Sequence, residues 1–209
     1  MSHAVILANG TPPSLELLRH ALEGASLFLC ADGGANTARL LDVRPAAIVG
    51  DFDSVAPETL LHFAGVPQIR DKSQERTDTE KAIDHALSQG AADITLLGGS
   101  AGRLDHVVGH LAILRKYAGR ARLILEDEAV RAYVTVADTT ITTPVGSTVS
   151  FFAVGAPVEG LTTENLRFPL ANRTLELGAQ DSVSNVVERT PAWIRFRRGH
   201  LLIIEAKGP

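Results

Sequence analysis

The sequence predicts an α/β fold followed by an all-β one, and three observations carry the prediction. Short apolar runs alternate with amphipathic stretches through the first part of the chain. Most of those runs end on glycine or aspartate. Past Gly119-Arg120 the helical periodicity gives way to β-branched and alternating segments. The division expected is an α/β domain over residues 1–120 and a β-rich domain over residues 121–209.

In the first part, Ala4–Ala8, Leu27–Ala31, Ala47–Val49, Val66–Ile69 and Ile94–Leu97 are short and apolar, as buried strands are. Thr77–Gln89 is the clearest helix. Thr77 and Glu80 form a capping-box signature, Ala82, Ile83, Ala86 and Leu87 make one apolar face, and Gly90 supplies the stop. Leu104–Tyr117 repeats the helical pattern. Strands alternating with helices imply an open, mostly parallel sheet with flanking helices. In the second part the strands expected are Ala132–Val136, Thr139–Thr143, Thr148–Val154, Val183–Val187, Trp193–Phe196 and Leu201–Glu205, with a hairpin loop at Arg197–His200.

Composition narrows the function. The chain has 209 residues, enough for one large or two compact domains, and its 45% hydrophobic fraction excludes intrinsic disorder. A net charge of −4 argues against a nucleic-acid binder, which would carry a basic excess. The single cysteine, Cys30, allows neither an intrachain disulfide nor a cysteine-rich zinc site and suits a reducing compartment. The N-terminal segment lacks a basic start, and no apolar run approaches a membrane span. A soluble, cytoplasmic protein with no nucleic-acid or membrane partner is expected.

The chemistry gathers where the strands end. Asn9-Gly10, Asp32-Gly33-Gly34, Gly50-Asp51-Phe52-Asp53, Arg70-Asp71 and Gly98-Gly99 emerge at one edge of an open α/β sheet, where such folds place their ligands. Asp32, Asp51, Asp53 and Asp71 therefore converge there, joined by Asp78 and Asp105 at helix starts. Asp51 and Asp53 are two apart and would share a face if the segment were extended. A single aspartate there would read as a cap or turn residue, but a cap requires one carboxylate and this cluster has several. Crowded acids call for a hard divalent cation such as Mg²⁺, with substrate phosphates completing its shell. Between a strand and a helix, Gly98 to Asp105 offers glycines, a helix N-terminus and Arg103, the parts of a phosphate grip.

Other constellations are weaker. Gly98-Gly99-Ser100-Ala101-Gly102 satisfies G-x-S-x-G, and a serine hydrolase would use Ser100 with Asp138 and His200. That fold needs further strand–helix units after the serine, and here the chain turns to β structure. His106 and His110 have the spacing of a zinc pair, but Val107 stands where a general-base Glu is needed. One of the two is expected to line the site and the other to sit on the helix surface. No G-x-x-x-x-G-K-[ST] is present, so any nucleotide is held without a P-loop.

Ala31 to Asn36, Gly50 to Ser54, Gln74 to Ala82 and Gly99 to His106 occur in the order and spacing of the thiamine pyrophosphokinase (thiamine diphosphokinase) family, which the chain resembles over its whole length. The resemblance implies a C-terminal β-sandwich and transfer of a pyrophosphoryl group from ATP to the hydroxyethyl group of thiamine, giving thiamine diphosphate and AMP. It implies a homodimer working with Mg²⁺. Asp51, Asp53 and Asp78 resemble the magnesium-binding carboxylates, with Arg103 and Asp105 beside them in the catalytic set. Gln74, Thr77, Arg103 and Asp105 resemble substrate- and nucleotide-contacting positions, with Asp32 and Asn36 in the motif beside them and His106 a further nucleotide-binding candidate. Ser184-Asn185 resembles the motif associated with thiamine, and Trp193 stands where the family can offer an aromatic. A buried core tryptophan is the alternative reading of Trp193. Glu75 is left outside the metal shell. A thiamine or nucleotide sensor without turnover is the other rival, and an intact acidic cluster argues against it.

Overall fold

The computed structural model describes residues 2–99 and 103–208. They form two compact units: one takes the chain up to Ile113 together with Arg120–Asp127, the other Leu114–Gly119 and the chain from Glu128.

The first unit holds strands β1 (Ser2–Leu7), β2 (Leu27–Ala31), β3 (Ala47–Gly50), β4 (Gln68–Arg70), β5 (Ala91–Leu97) and β6 (Arg122–Glu126). All pair in parallel, in the order β6-β5-β1-β2-β3-β4. Strands β1, β2, β3 and β5 are almost wholly buried, as in a sheet covered on both faces. The helices are α1 (Leu15–Leu22), α2 (Gly34–Leu40), α3 (Pro57–His62), α4 (Asp78–Ser88) and α5 (Leu104–Tyr117). One face of the sheet contributes Val5, Leu7, Phe28, Cys30 and Ile48 to a core shared with Leu18 of α1 and Ala38 of α2. Helix α4 packs on β2, β3 and β5.

The strand order changes direction at β1. Strands β2 to β4 run outward on one side of it and β5 and β6 on the other, so the switch point lies between β1 and β5. The carboxyl ends of strands flanking such a point open a crevice in which α/β sheets bind ligands.

The second unit holds β7 (Val130–Thr135), β8 (Thr139–Ile141), β9 (Thr148–Ala153), β10 (Val158–Glu164), β11 (Arg173–Leu175), β12 (Ser182–Val186), β13 (Ala192–Arg195) and β14 (Leu201–Ala206). They make two antiparallel sets, β12-β9-β14-β7 and β11-β10-β13-β8. Period-2 alternation sends Val149, Phe151, Leu201 and Ile203 of one set and Ala192 and Ile194 of the other into one core, which Val158 and Leu161 join across a register irregularity in β10. This is the sandwich.

One expectation is corrected. Strands β13 and β14 belong to different sheets, so Arg197–His200 is a crossing and not a hairpin loop. Glu159 draws that segment away: its N–H donates to the Arg198 carbonyl at 3.0 Å, and its own carbonyl accepts from Arg197 N at 2.8 Å. The alternation of the two segments is real, but it does not say which sheet each one joins. Strands β6, β10 and β11 and helices α1 to α3 are additions to the elements read from the sequence.

Candidate functional site

At the carboxyl end of β2 the chain turns through Asp32, whose φ of 43° lies in the left-handed region that Asp tolerates better than most residues. The carboxylate is 3% exposed. Its Oδ2 accepts the Ser54 amide at 3.1 Å, while its Oδ1 is buried with no hydrogen-bond partner in the structure. Burial raises the Asp32 pKa above the ordinary carboxylate range. The charges of Asp78 and Asp53 raise it further, and the Ser54 N–H opposes them. Gly50 at the end of β3 makes the arrangement sterically possible, because a Cβ there would stand 2.8 Å from that of Asp32.

One oxygen from each of Asp32, Asp51 and Asp78 lies within 4.8 Å of the others. Asp53 is not in this trio. Phe52 takes φ 70°, which breaks the extended geometry that would have aimed Asp51 and Asp53 the same way. The Asp53 amide instead donates to Asp51 Oδ1 at 3.1 Å, and its carboxylate accepts from Ser54 Oγ at 2.7 Å. Asp53 does line an open groove of about 410 Å³ with Asp51, Gln74, Thr77 and Asp78. Gln74 is exposed there, its amide reaching the Lys72 carbonyl at 3.4 Å. Asp71 is held by Arg76 at 2.7 Å, and the same guanidinium reaches Asp84 at 2.9 Å, which ties the loop before α4 to that helix.

Helix α4 starts as its sequence requires. Thr77 caps it, accepting from Glu80 N, while Glu80 Oε2 accepts from Thr77 N at 2.8 Å. That cap sets Asp78 at the first helical position, where a carboxylate suits the helix dipole. Lys81, one turn on and buried, reaches Asp78 Oδ1 with its Nζ at 2.9 Å. Sequence reasoning missed this lysine, although its i,i+3 spacing from Asp78 was visible.

Asn36 sits on α2 with its amide committed. Nδ2 donates to the Ser54 carbonyl at 2.8 Å, and Oδ1 accepts from Ala56 N at 3.0 Å and Thr59 Oγ1 at 2.8 Å. It anchors the 51–56 loop and has little left to offer a ligand.

A second cavity of about 280 Å³ continues from Thr77 and Asp78 to Asn9, Asp32, Asp105, His106 and His110. Both histidines line it, not one, and His110 is the buried member. At the head of α5, Arg103 and Asp105 form a two-point pair, Nε to Oδ1 at 3.1 Å and Nη2 to Oδ2 at 2.6 Å. Both are exposed, and the Arg103 bond holds the Asp105 carboxyl below its usual range. Ser100 of the serine-hydrolase reading lies outside the described residues. Its supposed partner Asp138 accepts the Phe196 amide at 3.0 Å.

In the second unit, Asn185 is buried, and its amide brackets the Phe168 main chain, accepting from its N at 3.0 Å and donating to its O at 2.7 Å. Ser184 is exposed inside β12 with a left-handed φ of 55°, where the register shifts, and its amide donates to Ser150 Oγ at 3.0 Å. Trp193 is 42% exposed on the outer face of β13, opposite the buried Ala192 and Ile194, which excludes the core-tryptophan reading. The Arg195 guanidinium lies 5.7 Å from its ring centroid. Among the described residues no helix is long and apolar enough to cross a membrane.

Comparisons with known proteins bear on the family and the fold. A family model described as thiamin pyrophosphokinase, catalytic domain, matches residues 18–125, and a second, thiamin pyrophosphokinase, vitamin B1 binding domain, matches residues 138–201. Thiamine pyrophosphokinase 2 of Oryza sativa subsp. japonica is 30% identical over 195 residues, 78% of this chain and 72% of that protein. Thiamine pyrophosphokinase of Bacillus subtilis (strain 168) is 23% identical over 96% of this chain and 97% of its own. The crystal structure of thiamine pyrophosphokinase from Bacillus subtilis superposes with a TM-score of 0.88 at 23% identity, covering 98% of this chain and 99% of that one, and so shares the fold. Thiamin pyrophosphokinase from Geobacillus thermodenitrificans gives 0.85 at 26% identity, over 99% and 97% of the two chains.

Proposed function

The chain belongs to the thiamin pyrophosphokinase family, and on that premise we propose that its acidic crevice takes ATP with Mg²⁺ and its outer tryptophan meets thiamine. As an enzyme of this family the chain transfers pyrophosphate to thiamine. The serine-hydrolase and sensor readings find no support, since the matching family model is that of a kinase catalytic domain.

The observation that carries the placement is the buried, unpartnered Asp32 Oδ1 beside Asp51 and Asp78. An orphaned carboxylate oxygen crowded by two more carboxylates is costly unless a cation lies among them, and oxygen donors of this kind suit a hard divalent ion. Asp32, Asp51 and Asp78 would hold Mg²⁺, with Asp53 at the edge of the same groove. Bound there, the ion neutralises phosphate charge.

The chain's own residues do the rest. Lys81 adds a buried positive charge and fixes one oxygen of Asp78. Asn36 and the Thr77 cap hold the 51–56 loop and α4 in register. Arg103 exchanges Asp105 for phosphate, which its planar guanidinium can grip at two points, and Gln74, Thr77 and His106 line the path of the nucleotide. The thiamine hydroxyl oxygen bonds to the β-phosphorus and gives up its proton to solvent, while the bond from that phosphorus to the AMP oxygen breaks, a step governed by alignment and charge. We assign nucleotide and metal to the domain of residues 1–120 and thiamine to that of residues 121–209. We place the enzyme in the cytoplasm as a homodimer on the family resemblance. Asn185 serves this site by bracketing the Phe168 main chain, Ser184 by its exposed hydroxyl.

The test is incubation with thiamine, ATP and Mg²⁺. AMP should form together with thiamine diphosphate and only when thiamine is present; AMP released without thiamine would sink the reading. Trp193→Ala should raise the KM for thiamine by about 2- to 30-fold, the range of a cation–π contact of ~0.5–2 kcal/mol, with the KM for ATP nearly unchanged. Equal effects on both constants would remove Trp193 from the thiamine site.

A further inference from the structure

We infer that His110 is a positioning residue that clamps the end of β5 and the body of α5 to helix α4, and so sets the Arg103–Asp105 end of α5 relative to Asp78. His110 lies in the second turn of α5. Its Nδ1 is 3.0 Å from the carbonyl of Gly99, just past the end of β5. Its Nε2 is 3.3 Å from Thr79 Oγ1, the residue next to Asp78 on α4. One ring thus joins three pieces of chain: the end of β5, the body of α5 and the first turn of α4.

The chemistry fixes how it does so. A carbonyl oxygen only accepts, so Nδ1 carries the proton. In the neutral ring Nε2 is then the acceptor, and the Thr79 hydroxyl donates to it. Burial holds the His110 pKa below the ordinary range, which keeps the ring in that neutral form. Space is equally constrained. A Cβ at Gly99 would stand 3.1 Å from Nδ1 and 2.8 Å from Leu125 Cδ1, so the ring rests on the bare glycine backbone.

The position of the clamp indicates its purpose. His110 lines the same cavity as Asp32, Asp78, Thr79 and Asp105. A leucine there could fill the space but could make neither bond. A ring with two directed bonds holds α4, through Thr79 and Asp78, against the helix that carries Asp105. In transfer chemistry a displacement of an ångström costs on the order of 10²-fold, so that distance matters to rate.

Three variants separate the two arms. Asparagine places an amide nitrogen near the Nδ1 position and keeps the Gly99 bond alone. Glutamine reaches toward the Nε2 position and keeps the Thr79 bond alone. Leucine keeps neither. The inference rests on the reading of Arg103 and Asp105 as nucleotide contacts, so the clamp should matter most for ATP. His110→Asn and His110→Gln each sever one arm and should lower kcat/KM for ATP by about 10-fold. His110→Leu severs both and should lower it by about 100-fold, with ATP affinity measured by calorimetry falling in parallel and the KM for thiamine within about twofold. Thermal unfolding of each variant shows whether it is folded, and the Asn and Gln variants decide the matter if the leucine variant is not. Native kcat/KM for ATP in a folded single-arm variant, or in a folded Leu variant, would overturn the clamp. Native protein that forms no thiamine-dependent AMP would instead overturn the functional reading beneath it.

Discussion

Replacing Asp51 or Asp78 by Asn should lower turnover by about 10²- to 10³-fold while leaving the protein folded, the scale on which loss of one preorganised charge-stabilising group is felt. Each substitution keeps the shape of the side chain and removes one charge from a trio of oxygens that lie within 4.8 Å of one another. Asp78→Asn also leaves Lys81 facing a neutral amide at a distance now 2.9 Å from a carboxylate, so a modest loss of stability should accompany the loss of rate. Steady-state AMP formation at several Mg²⁺ concentrations reads the effect. Near-native rates at saturating Mg²⁺ in either variant would remove that carboxylate from the metal site.

Asp32→Asn should do two opposite things. Turnover should fall about as far as for Asp51. The metal-free protein should become more stable by ~1 kcal/mol at neutral pH, about 2–4 °C in Tm for a chain of this size. Asp32 carries a buried oxygen with no hydrogen-bond partner, and burial and neighbouring carboxylates raise its pKa. A carboxyl whose native pKa lies above its unfolded value favours the fold most at low pH and loses that contribution as pH rises through the native value. The asparagine variant escapes this loss and tolerates the same left-handed backbone. Its advantage over the native protein, measured by thermal unfolding with a chelator present, should grow from acidic to neutral pH and shrink on adding Mg²⁺. A variant less stable than the native protein under chelation would refute the assignment of Asp32 as an oxygen held in readiness for a cation.

Much of this was legible in the residues, for reasons that also mark where legibility stops. The parallel sheet announced itself through short apolar runs ending at Asp32, Gly50 and Gly98, because strands buried on both faces must be apolar and must release polar groups at their ends. Helix α4 announced itself through Thr77 and Glu80, whose reciprocal bonds are local in sequence. The strand Arg122–Glu126 was hidden by its place just after the Gly119-Arg120 change of character, where only a parallel partner in space gives it meaning. Helix α3 has six residues and only Pro57 as a start signal, too little periodicity to read. In the site, Asp51 stood out by its place at a strand end and Asp78 by its place at a helix start. The separation of Asp53 from the trio did not, because it follows from the single positive φ at Phe52. The roles of Asn36 and Asn185 were equally hidden, since their amides meet main-chain atoms 17 to 20 residues away in sequence and, for Asn36, a hydroxyl 23 away.

The reversal of strand order at β1 has a consequence for the chain as a thread. Asp32, Asp51 and Asp78 all belong to the stretch that ends with α4 at Ser88, whereas Arg103, Asp105 and His110 follow β5, which begins at Ala91. The crevice is therefore a seam between two contiguous pieces of polypeptide, joined by a connection of two residues at Gln89 and Gly90. Each piece can accumulate changes within its own wall, and only residues that reach across, Thr79 and His110 among them, must change as partners.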